Sequence, residues 1–473
     1  MAGFIIYDLV FLVVFILFIV FFLRRNKSKV KRQGIIFLYR ADWGIKLMDY
    51  LAKKKEKTLK VLSYVSIACG YFLMISILWL IVESAYIYLR FPITQITKAP
   101  PIAPLIPYFP QLFGLSSFFP PLYFTYFLIA VAIGGIIHEF SHGVFARLVK
   151  LKVKSTGILF AGPFLGAFVE PDEKAMEKSK IKNQLAILSA GTFANVIISV
   201  ITAILIIIFF SAAFAPAGVI VNTYSSVLTD IANLEIPENF SLEEKFVEVQ
   251  VQNTTFLAST KVLKQTLEEN RTQIILFDDA PAIRNELPLS PSAIAEFNGV
   301  KVSSFEELAG QIQKMEPGEN VQLKIAVRNG FFDVDPEFKE YEFAIGEREG
   351  KPFLGVGVIP PSESTSVFGI KKIFNYIFLG AGTLDPFTYY ESSLGSFGWF
   401  IYFLLWWVLF INALLALFNM LPLGPLDGGK FLQLSIVGLT KSEKAGKNVY
   451  KIATGFILLL LALMTIKWAV SFF

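Results

Sequence analysis

The chain contains very little histidine, cysteine and charge. Its 473 residues include two histidines and one cysteine. The single cysteine, Cys69, excludes an internal disulfide framework and any metal site built from several cysteines. Charged residues make up 17% and hydrophobic residues 54%, whereas average soluble domains carry roughly 25% charged residues. This composition excludes a wholly soluble enzyme, and the 48 phenylalanines leave too much apolar surface for a disordered chain.

Six apolar segments are long enough to cross a hydrocarbon core of about 30 Å, which takes roughly 20 helical residues. They cover residues 4–23, 61–81, 121–145, 185–214, 399–421 and 449–470. The first lacks the basic start and the cleavage site of a signal peptide and contains Asp8, so we interpret it as an uncleaved anchor. The sequence therefore predicts a mainly α-helical membrane protein with about six transmembrane helices.

Lysine and arginine predict the orientation of these helices. Residues 24–60 contain 13 basic and three acidic side chains, residues 147–183 eight and four, and residues 428–451 five and one. With six spans these stretches share one side, which the positive-inside rule assigns to the cytoplasm. The basic, amphipathic stretch 34–60 is expected to lie along the anionic lipids of that leaflet, with a solvated linker as the alternative.

Residues 216–363 then lie on the extracytoplasmic side and contain 24 acidic and 12 basic side chains. The net charge of +5 thus reflects topology, and no nucleic-acid partner is expected. Within this insert, residues 280–359 show the pattern of a small α/β module. Asn298-Gly299 predicts a turn between two strands, Ser304 and Glu307 form a capping-box pattern, and residues 353–358 are expected to close the sheet.

The order of these elements resembles a PDZ domain, a fold that binds extended peptides beside a helix. A peptide ligand of this PDZ-like domain is therefore one expectation. The alternative is a small spacer domain without a ligand. The polar residues 222–277 before the module fit either a second module or an insertion.

The third span contains Ile-His-Glu-Phe-Ser-His-Gly at residues 137–143. His138 and His142 lie one helical turn apart, so their imidazoles share one face and can chelate one zinc ion, with Glu139 near the attacking water. Ionisable side chains inside a membrane are costly and favour a functional interpretation. The alternative, polar residues that join helices, explains neither the spacing nor the glutamate.

A catalytic zinc usually has three protein ligands and one open position. Because the chain has no third histidine, the third ligand is expected to be a carboxylate, and Asp427 is the candidate. It lies in Asn-Met-Leu-Pro-Leu-Gly-Pro-Leu-Asp-Gly-Gly-Lys at residues 419–430, where prolines and glycines break the helix; a plain turn is the alternative. Arg147 follows His138 by nine residues, or about 14 Å of helix, which predicts a metal below the cytoplasmic headgroups.

These motifs resemble those of the site-2 protease family of intramembrane zinc metalloproteases. Residues 190–195, Ala-Gly-Thr-Phe-Ala-Asn, are similar to the family's Gly-Pro-x-x-Asn, with Thr192 where proline is common. Residues 155–168, around Gly162-Pro163, fit two strands of the membrane-dipping β-structure of the family. The PDZ-like insert also fits, and the resemblance covers about residues 121–429.

The resemblance implies that His138, His142 and Asp427 bind Zn²⁺, although iron or cobalt would accept the same ligands. Glu139 would transfer the proton from water to the leaving amine, and the Asn195 amide would donate to the oxyanion or to substrate backbone. The expected activity is regulated intramembrane proteolysis of a single-span membrane protein, near the cytoplasmic side of a prokaryotic, archaeal-type cell membrane.

The family resemblance also implies four segments along the chain. The first segment carries anchor helices, a basic cytoplasmic loop and an extracytoplasmic loop. The second and fourth segments are the two parts of the catalytic core, and the third segment between them is the PDZ-like domain with its insertion. The fourth segment ends in a further transmembrane helix. Their expected ranges are 1–120, 121–215, 216–365 and 366–473.

Two other functions fit parts of the sequence. A multispan zinc protease of another type, acting on soluble or lipidated C-termini, would take its third ligand from a glutamate on a later helix. A non-catalytic membrane scaffold would use only the PDZ-like domain and need not keep all four site residues. A metal transporter is disfavoured, because its polar residues would be spread along several spans and here they concentrate at one depth.

Overall fold

The computed structural model describes residues 2–91, 100–101, 105–116, 119–237, 243–252, 254–359, 376–377 and 379–471. The chain divides into two units. The first, called the membrane unit, comprises Met1–Phe210, Ser366–Thr383 and Phe400–Phe473, and the second, called the sheet unit, comprises Ser211–Thr365 and Leu384–Trp399. The expected segment boundary at 365/366 lies outside the described residues.

The helices in the described part of the chain are α1 (Ala2–Arg25), α2 (Ile45–Lys54), α3 (Glu56–Arg90), α4 (Phe109–Leu112), α5 (Phe124–Leu148), α6 (Glu173–Glu177), α7 (Ile181–Ala213), α8 (Thr260–Glu268), α9 (Pro281–Arg284), α10 (Phe305–Ile312), α11 (Gly395–Asn419), α12 (Asp427–Thr440) and α13 (Glu443–Val470). Among the residues that the structure describes, six of them are long and apolar enough to cross a membrane, namely α1, α3, α5, α7, α11 and α13. The prediction of six segments apolar and long enough to span a membrane is confirmed.

The strands are β1 (Val30–Gln33), β2 (Ile36–Ala41), β3 (Val153–Ala161), β4 (Phe164–Pro171), β5 (Phe214–Val219), β6 (Thr223–Tyr224), β7 (Ser226–Asp230), β8 (Phe246–Val251), β9 (Thr254–Ser259), β10 (Gln273–Asp278), β11 (Ala293–Phe297), β12 (Val300–Lys301), β13 (Asn320–Val327), β14 (Glu337–Ala344), β15 (Gly346–Arg348), β16 (Lys351–Phe353), β17 (Val356–Gly357) and β18 (Thr388–Ser392). They form several separate sheets.

The membrane unit contains a four-stranded antiparallel sheet in the order β1-β2-β3-β4. The predicted pair of strands around Gly162 is confirmed, and Gly162 has the positive φ of 60° that favours glycine in a turn. The other two strands come from the basic residues after α1. Since β2 and α2 lie within residues 34–60, the interpretation of that stretch as a solvated linker is wrong, and its position along the anionic lipids stays a prediction. The sheet packs on α1 through Phe22, whose ring centroid lies 5.1 Å from that of Tyr39 and 5.7 Å from that of Phe160.

The first turn of α5 is capped by a side chain from α1. Asp8 is only 1% exposed, and its carboxylate accepts hydrogen bonds from the backbone N–H groups of Phe124 and Thr125 at 2.7 and 3.0 Å. The hydroxyls of Tyr108 and Thr125 also donate to it, both at 2.6 Å. The first N–H groups of a helix lack partners within it and carry partial positive charge, so they compensate this buried carboxylate. α1 therefore fixes the start of α5.

The sheet unit contains a six-stranded sheet in which β14, β13, β11, β5 and β18 are neighbours and β12 pairs with β11. Its core is built from buried aliphatic and aromatic side chains of these strands and of α10, including Val219, Phe297, Leu308 and Ile325. The capping residue Ser304 is confirmed, because its hydroxyl accepts from the N–H of Glu307 at 3.2 Å.

The expected closing strand at residues 353–358 is wrong. Phe353 ends β16, which pairs with β15, and β17 pairs with β6. Instead, β5 pairs with β11, and β18, a strand from a distant part of the chain, pairs with β5. The PDZ-like fold of this region stays a prediction.

The residues left open at 222–277 form a sheet of their own. Its order is β7-β10-β9-β8, and α8 follows β9. Leu263 of α8 is fully buried with Ala258, Leu276 and Val249. A separate apolar core of this kind indicates a second small module within the sheet unit.

Candidate metal centre

Three of the predicted residues meet at one point of the membrane unit. The Nε2 atoms of His138 and His142, both on α5, lie 3.0 Å apart. Oδ2 of Asp427, the first residue of α12, lies 3.2 Å from the former and 3.3 Å from the latter. Among the described residues, this is the only group of three histidine, cysteine or acidic residues whose ligand atoms all lie within 4.8 Å of one another. Two imidazoles and a carboxylate form a ligand set that suits zinc.

Hydrogen bonds behind the rings orient both imidazoles. Nδ1 of His142 lies 2.6 Å from the carbonyl oxygen of Ile187 on α7, and because a carbonyl only accepts, Nδ1 carries the proton. The lone pair of Nε2 therefore faces Asp427, which is the tautomer a metal ligand needs. Its Nδ1–H···O=C bond is the usual support of a metal-binding histidine.

The side chain of Asn195, also on α7, orients His138. It is fully buried, its amide nitrogen lies 3.3 Å from Nδ1 of His138, and Oδ1 has no hydrogen-bond partner among the described residues. With the two amide atoms exchanged, Nδ1–H of His138 donates to Oδ1. The contact lies on the Nδ1 side of His138, opposite Nε2. The expected oxyanion role of Asn195 stays a prediction.

A glycine leaves space beside the Nε2 atoms of both histidines. A Cβ atom at Gly191 of α7 would lie 2.6 Å from the Nε2 atoms of His138 and His142. Only a residue without a side chain lets the backbone of α7 come this close to both rings. The space that such a Cβ would fill lies beside both nitrogens, which supports a metal ion at the three ligands.

The double glycine after Asp427 explains how its carboxylate reaches the two histidines. A Cβ at Gly428 would lie 2.3 Å from the carbonyl oxygen of Met420, and one at Gly429 would lie 2.5 Å from that of Leu423. The start of α12 therefore folds tightly against the loop that precedes it. Burial raises the pKa of the Asp427 carboxyl, but His142 and His138, when they are protonated, outweigh this effect and hold the pKa well below its ordinary value.

Glu139 contacts the sheet beside the site. Its Oε2 accepts a hydrogen bond of 3.0 Å from the backbone N–H of Val169, a residue of β4. Val169 lies opposite Thr156 of β3, but its N–H points to Glu139. This N–H therefore belongs to the outer edge of β4, called the free edge because no other strand in the described part of the chain pairs with it. By the alternation of a strand, the N–H of Ala167 also points to this edge.

A polar cavity of about 370 Å³ adjoins the three ligands. Glu139, His142 and Asp427 lie along its wall, and Glu173, Glu177, Gln184, Lys430 and Gln433 are further polar residues of its lining. The side chains of Glu173, Glu177 and Lys430 are exposed, so the cavity reaches the protein surface. Water can therefore reach the ligands from this side.

The structure brings together all the predicted site residues, His138, Glu139, His142, Asn195 and Asp427. Sequence reasoning missed Gly191 and Ile187 as parts of the site and missed the contact between Glu139 and β4. Gly191 lies four residues before Asn195, and this one-turn spacing was the available signal. The Ile187 carbonyl and the Val169 N–H are backbone groups, which leave no signal in a sequence.

One family model and two known proteins match this chain. The model of peptidase family M50 matches residues 126–462. The uncharacterized protein MJ0971 of Methanocaldococcus jannaschii is 25% identical over 427 residues, which cover 89% of this chain and 83% of that protein. The zinc metalloprotease RasP of Shouchella clausii is 25% identical over 198 residues, which cover 37% of this chain and 45% of that protein. The family match spans all five site residues.

Proposed function

Because the chain belongs to peptidase family M50, the site-2 protease family, we propose that it is an intramembrane zinc endopeptidase that cleaves transmembrane segments of single-span membrane proteins. The observation that carries this proposal is the meeting of His138, His142 and Asp427 beside Glu139. Six helices apolar enough to span a membrane support an integral membrane protein. Family membership implies a metallopeptidase that uses zinc.

The chemistry follows from the positions of these side chains. Zinc held by the three ligands would polarise the scissile carbonyl and lower the pKa of the attacking water. Glu139 takes the proton from this water and passes it to the leaving amine. Ile187 and Asn195 would keep the two imidazoles in their metal-binding orientation.

The contact of Glu139 with β4 suggests how substrate engages the site. A transmembrane helix hides its own carbonyls, so the scissile segment must unwind, and its backbone groups then need partners in place of lipid. The free edge of β4 offers the N–H groups of Val169 and Ala167 for an added strand. An added strand would take the N–H of Val169 and release Glu139 for proton transfer.

The site is proposed to face the cytoplasm. The basic stretches predict that side, and the polar cavity lined by Glu173, Glu177 and Lys430 offers water a route from it. The proposed setting is the cell membrane of a prokaryote, as in the archaeal-type members of the family. The PDZ-like region of the sheet unit would then act outside, as a size filter or tether for a substrate already trimmed by a first cut.

Metal analysis combined with a cleavage assay tests the proposal. Purified wild type, Asp427→Ala and Glu173→Gln are compared for bound zinc and for cleavage of a tagged single-span protein in vesicles. Glu173 lines the same cavity without being a ligand, so its variant is the matched control. We expect Asp427→Ala to lose zinc and cleavage and Glu173→Gln to keep zinc. Full zinc in Asp427→Ala would place the third ligand elsewhere and favour the other multispan zinc protease type.

The role of the β4 edge has its own test. Ala167→Pro removes an N–H from the free edge, whereas Ala167→Ser keeps it. We expect at least a tenfold slower cleavage of the membrane substrate by the proline variant, with zinc content unchanged in both. Equal cleavage by the two variants would refute pairing of substrate with β4.

A further inference from the structure

The last turn of α1 and the hairpin β1–β2 enclose a groove that the proteolytic site does not use. Its volume is about 400 Å³. One part of its wall is apolar and includes Val20, Leu23 and Phe37, and the other part is basic and consists of Arg24, Lys27 and Arg32. We infer that this groove, called the basic groove, binds the headgroup of an anionic phospholipid.

The basic side chains of the groove are available for a ligand. Arg24, Lys27 and Arg32 are exposed, and within the described ranges none of them forms an ion pair with an acidic side chain. By contrast, Arg40 on the next strand pairs with Glu170 at 2.5 Å. Three neighbouring cations without a carboxylate repel one another, and an anion between them relieves this repulsion.

Arg32 is held in place before any ligand arrives. Its Nε donates to the carbonyl oxygen of Gly34 at 2.8 Å. Its guanidinium lies 5.7 Å from the ring centroid of Phe37, the residue directly opposite on β2. A guanidinium fixed in this way loses little freedom on binding and presents its outer nitrogens to phosphate oxygens.

The order of residues along the groove matches the order of groups in a lipid. Val20 and Leu23 belong to the apolar part of α1, and Arg24 and Lys27 follow at its end. Acyl chains contact apolar side chains, and the phosphate lies one turn further out, where Lys and Arg are attracted to anionic lipids. Ile35 at the hairpin turn is 82% exposed and Trp43 is 58% exposed, as expected for side chains that enter the membrane interface.

The groove has a firm wall, because the hairpin is not a free loop. Val30 and Phe37 pack with Ile19 and Leu23 of α1 in the same apolar cluster. The adjacent strand pairing, from Val30 with Tyr39 to Gln33 with Ile36, continues into β3. The basic groove is therefore a site shaped by tertiary structure and does not depend on whether the chain is a protease.

Native mass spectrometry of the full chain in detergent tests the inference. The protein is titrated separately with phosphatidylglycerol, with phosphatidylcholine and with inorganic phosphate. The groove variant Arg24→Gln/Lys27→Gln/Arg32→Gln is compared with the control variant Lys29→Gln/Lys31→Gln/Lys46→Gln. The control removes the same charge from residues that line a neighbouring surface groove, and thermal unfolding of both variants reports whether they fold.

We expect wild type to bind phosphatidylglycerol at least tenfold more tightly than phosphatidylcholine. Each basic side chain near an anionic headgroup contributes about a factor of five, so the groove variant should bind phosphatidylglycerol about 100-fold more weakly. The control variant should stay within about threefold of wild type. Equal weakening in both triple variants would reduce the effect to general surface charge and overturn the site. Inorganic phosphate that binds the groove as tightly as phosphatidylglycerol would identify a phosphate site and overturn the assignment to lipid.

Discussion

Gly191→Ala tests whether the space beside the imidazoles is needed for metal binding. The added Cβ would lie 2.6 Å from Nε2 of both His138 and His142, about 1 Å closer than ordinary carbon contacts of ~3.5 Å or more. The rings cannot turn away cheaply, because Ile187 and Asn195 hold their Nδ1 atoms.

The size of the effect follows from the tolerance of a zinc site. Ligand distances must stay within about 0.2 Å of their ideal values, and the required shift is several times larger. Overpacking of a tight site costs about 1–3 kcal/mol, and loss of ligand orientation typically lowers metal affinity 10–100-fold. We therefore expect the zinc affinity of Gly191→Ala to fall about 10–100-fold, with cleavage reduced in proportion to the zinc bound.

The assay is zinc competition with a chelator of known affinity, on purified protein in detergent. Gly135→Ala on α5 is the matched control, because a Cβ there would lie 3.9 Å from its nearest neighbour, the backbone nitrogen of Ala167. This control should keep wild-type zinc affinity. Wild-type affinity in Gly191→Ala as well would refute the reasoning, since the ion would then lie away from these two nitrogens.

Three further changes have expected outcomes. Asp8→Ala leaves the first N–H groups of α5 without an acceptor and should destabilise the protein by about 2 kcal/mol, seen as a lower Tm. Asp8→Asn keeps an acceptor oxygen and should lose less stability. Equal Tm values for wild type and both variants would contradict the capping role of Asp8. Asn195→Ala should weaken zinc binding about tenfold or more, whereas Asn195→Asp, which can still accept from Nδ1–H of His138, should keep zinc; equal loss in both would exclude the orienting role. Lowering the pH from 7.5 to 5 should raise the zinc Kd at least tenfold, because the imidazoles bind metal only when they are neutral. Asp427 stays ionised over this range, because its pKa is held low. An unchanged Kd at pH 5 would argue against histidine ligands.

The meeting of the three candidate ligands could be predicted because their signals are local or exclusive. His138 and His142 follow from the period of a helix, and this period does not depend on the rest of the fold. Asp427 followed from the lack of any other histidine together with the broken helix around it. The turn at Gly162 was likewise visible, since glycine and proline mark turns within a few residues.

Features that depend on distant partners could not be predicted. Asp8 caps a helix that begins 116 residues later, and nothing near Asp8 identifies its partner. β1 contains Lys31 and Arg32 and shows little apolar alternation, so its pairing with β2 left no clear pattern. The expected closing strand at 353–358 failed for a related reason, because β5 and β18 provide the neighbouring strands from far along the chain.

The most direct test of the central claim is cleavage by Glu139→Gln with its zinc content measured in the same preparation. Glutamine preserves the size of the side chain but cannot accept the proton from water, and Glu139 is not one of the three ligands. We predict wild-type zinc content and no detectable cleavage of a single-span membrane substrate. Substantial cleavage by this zinc-loaded variant would contradict the assignment of Glu139 as the proton-transferring group.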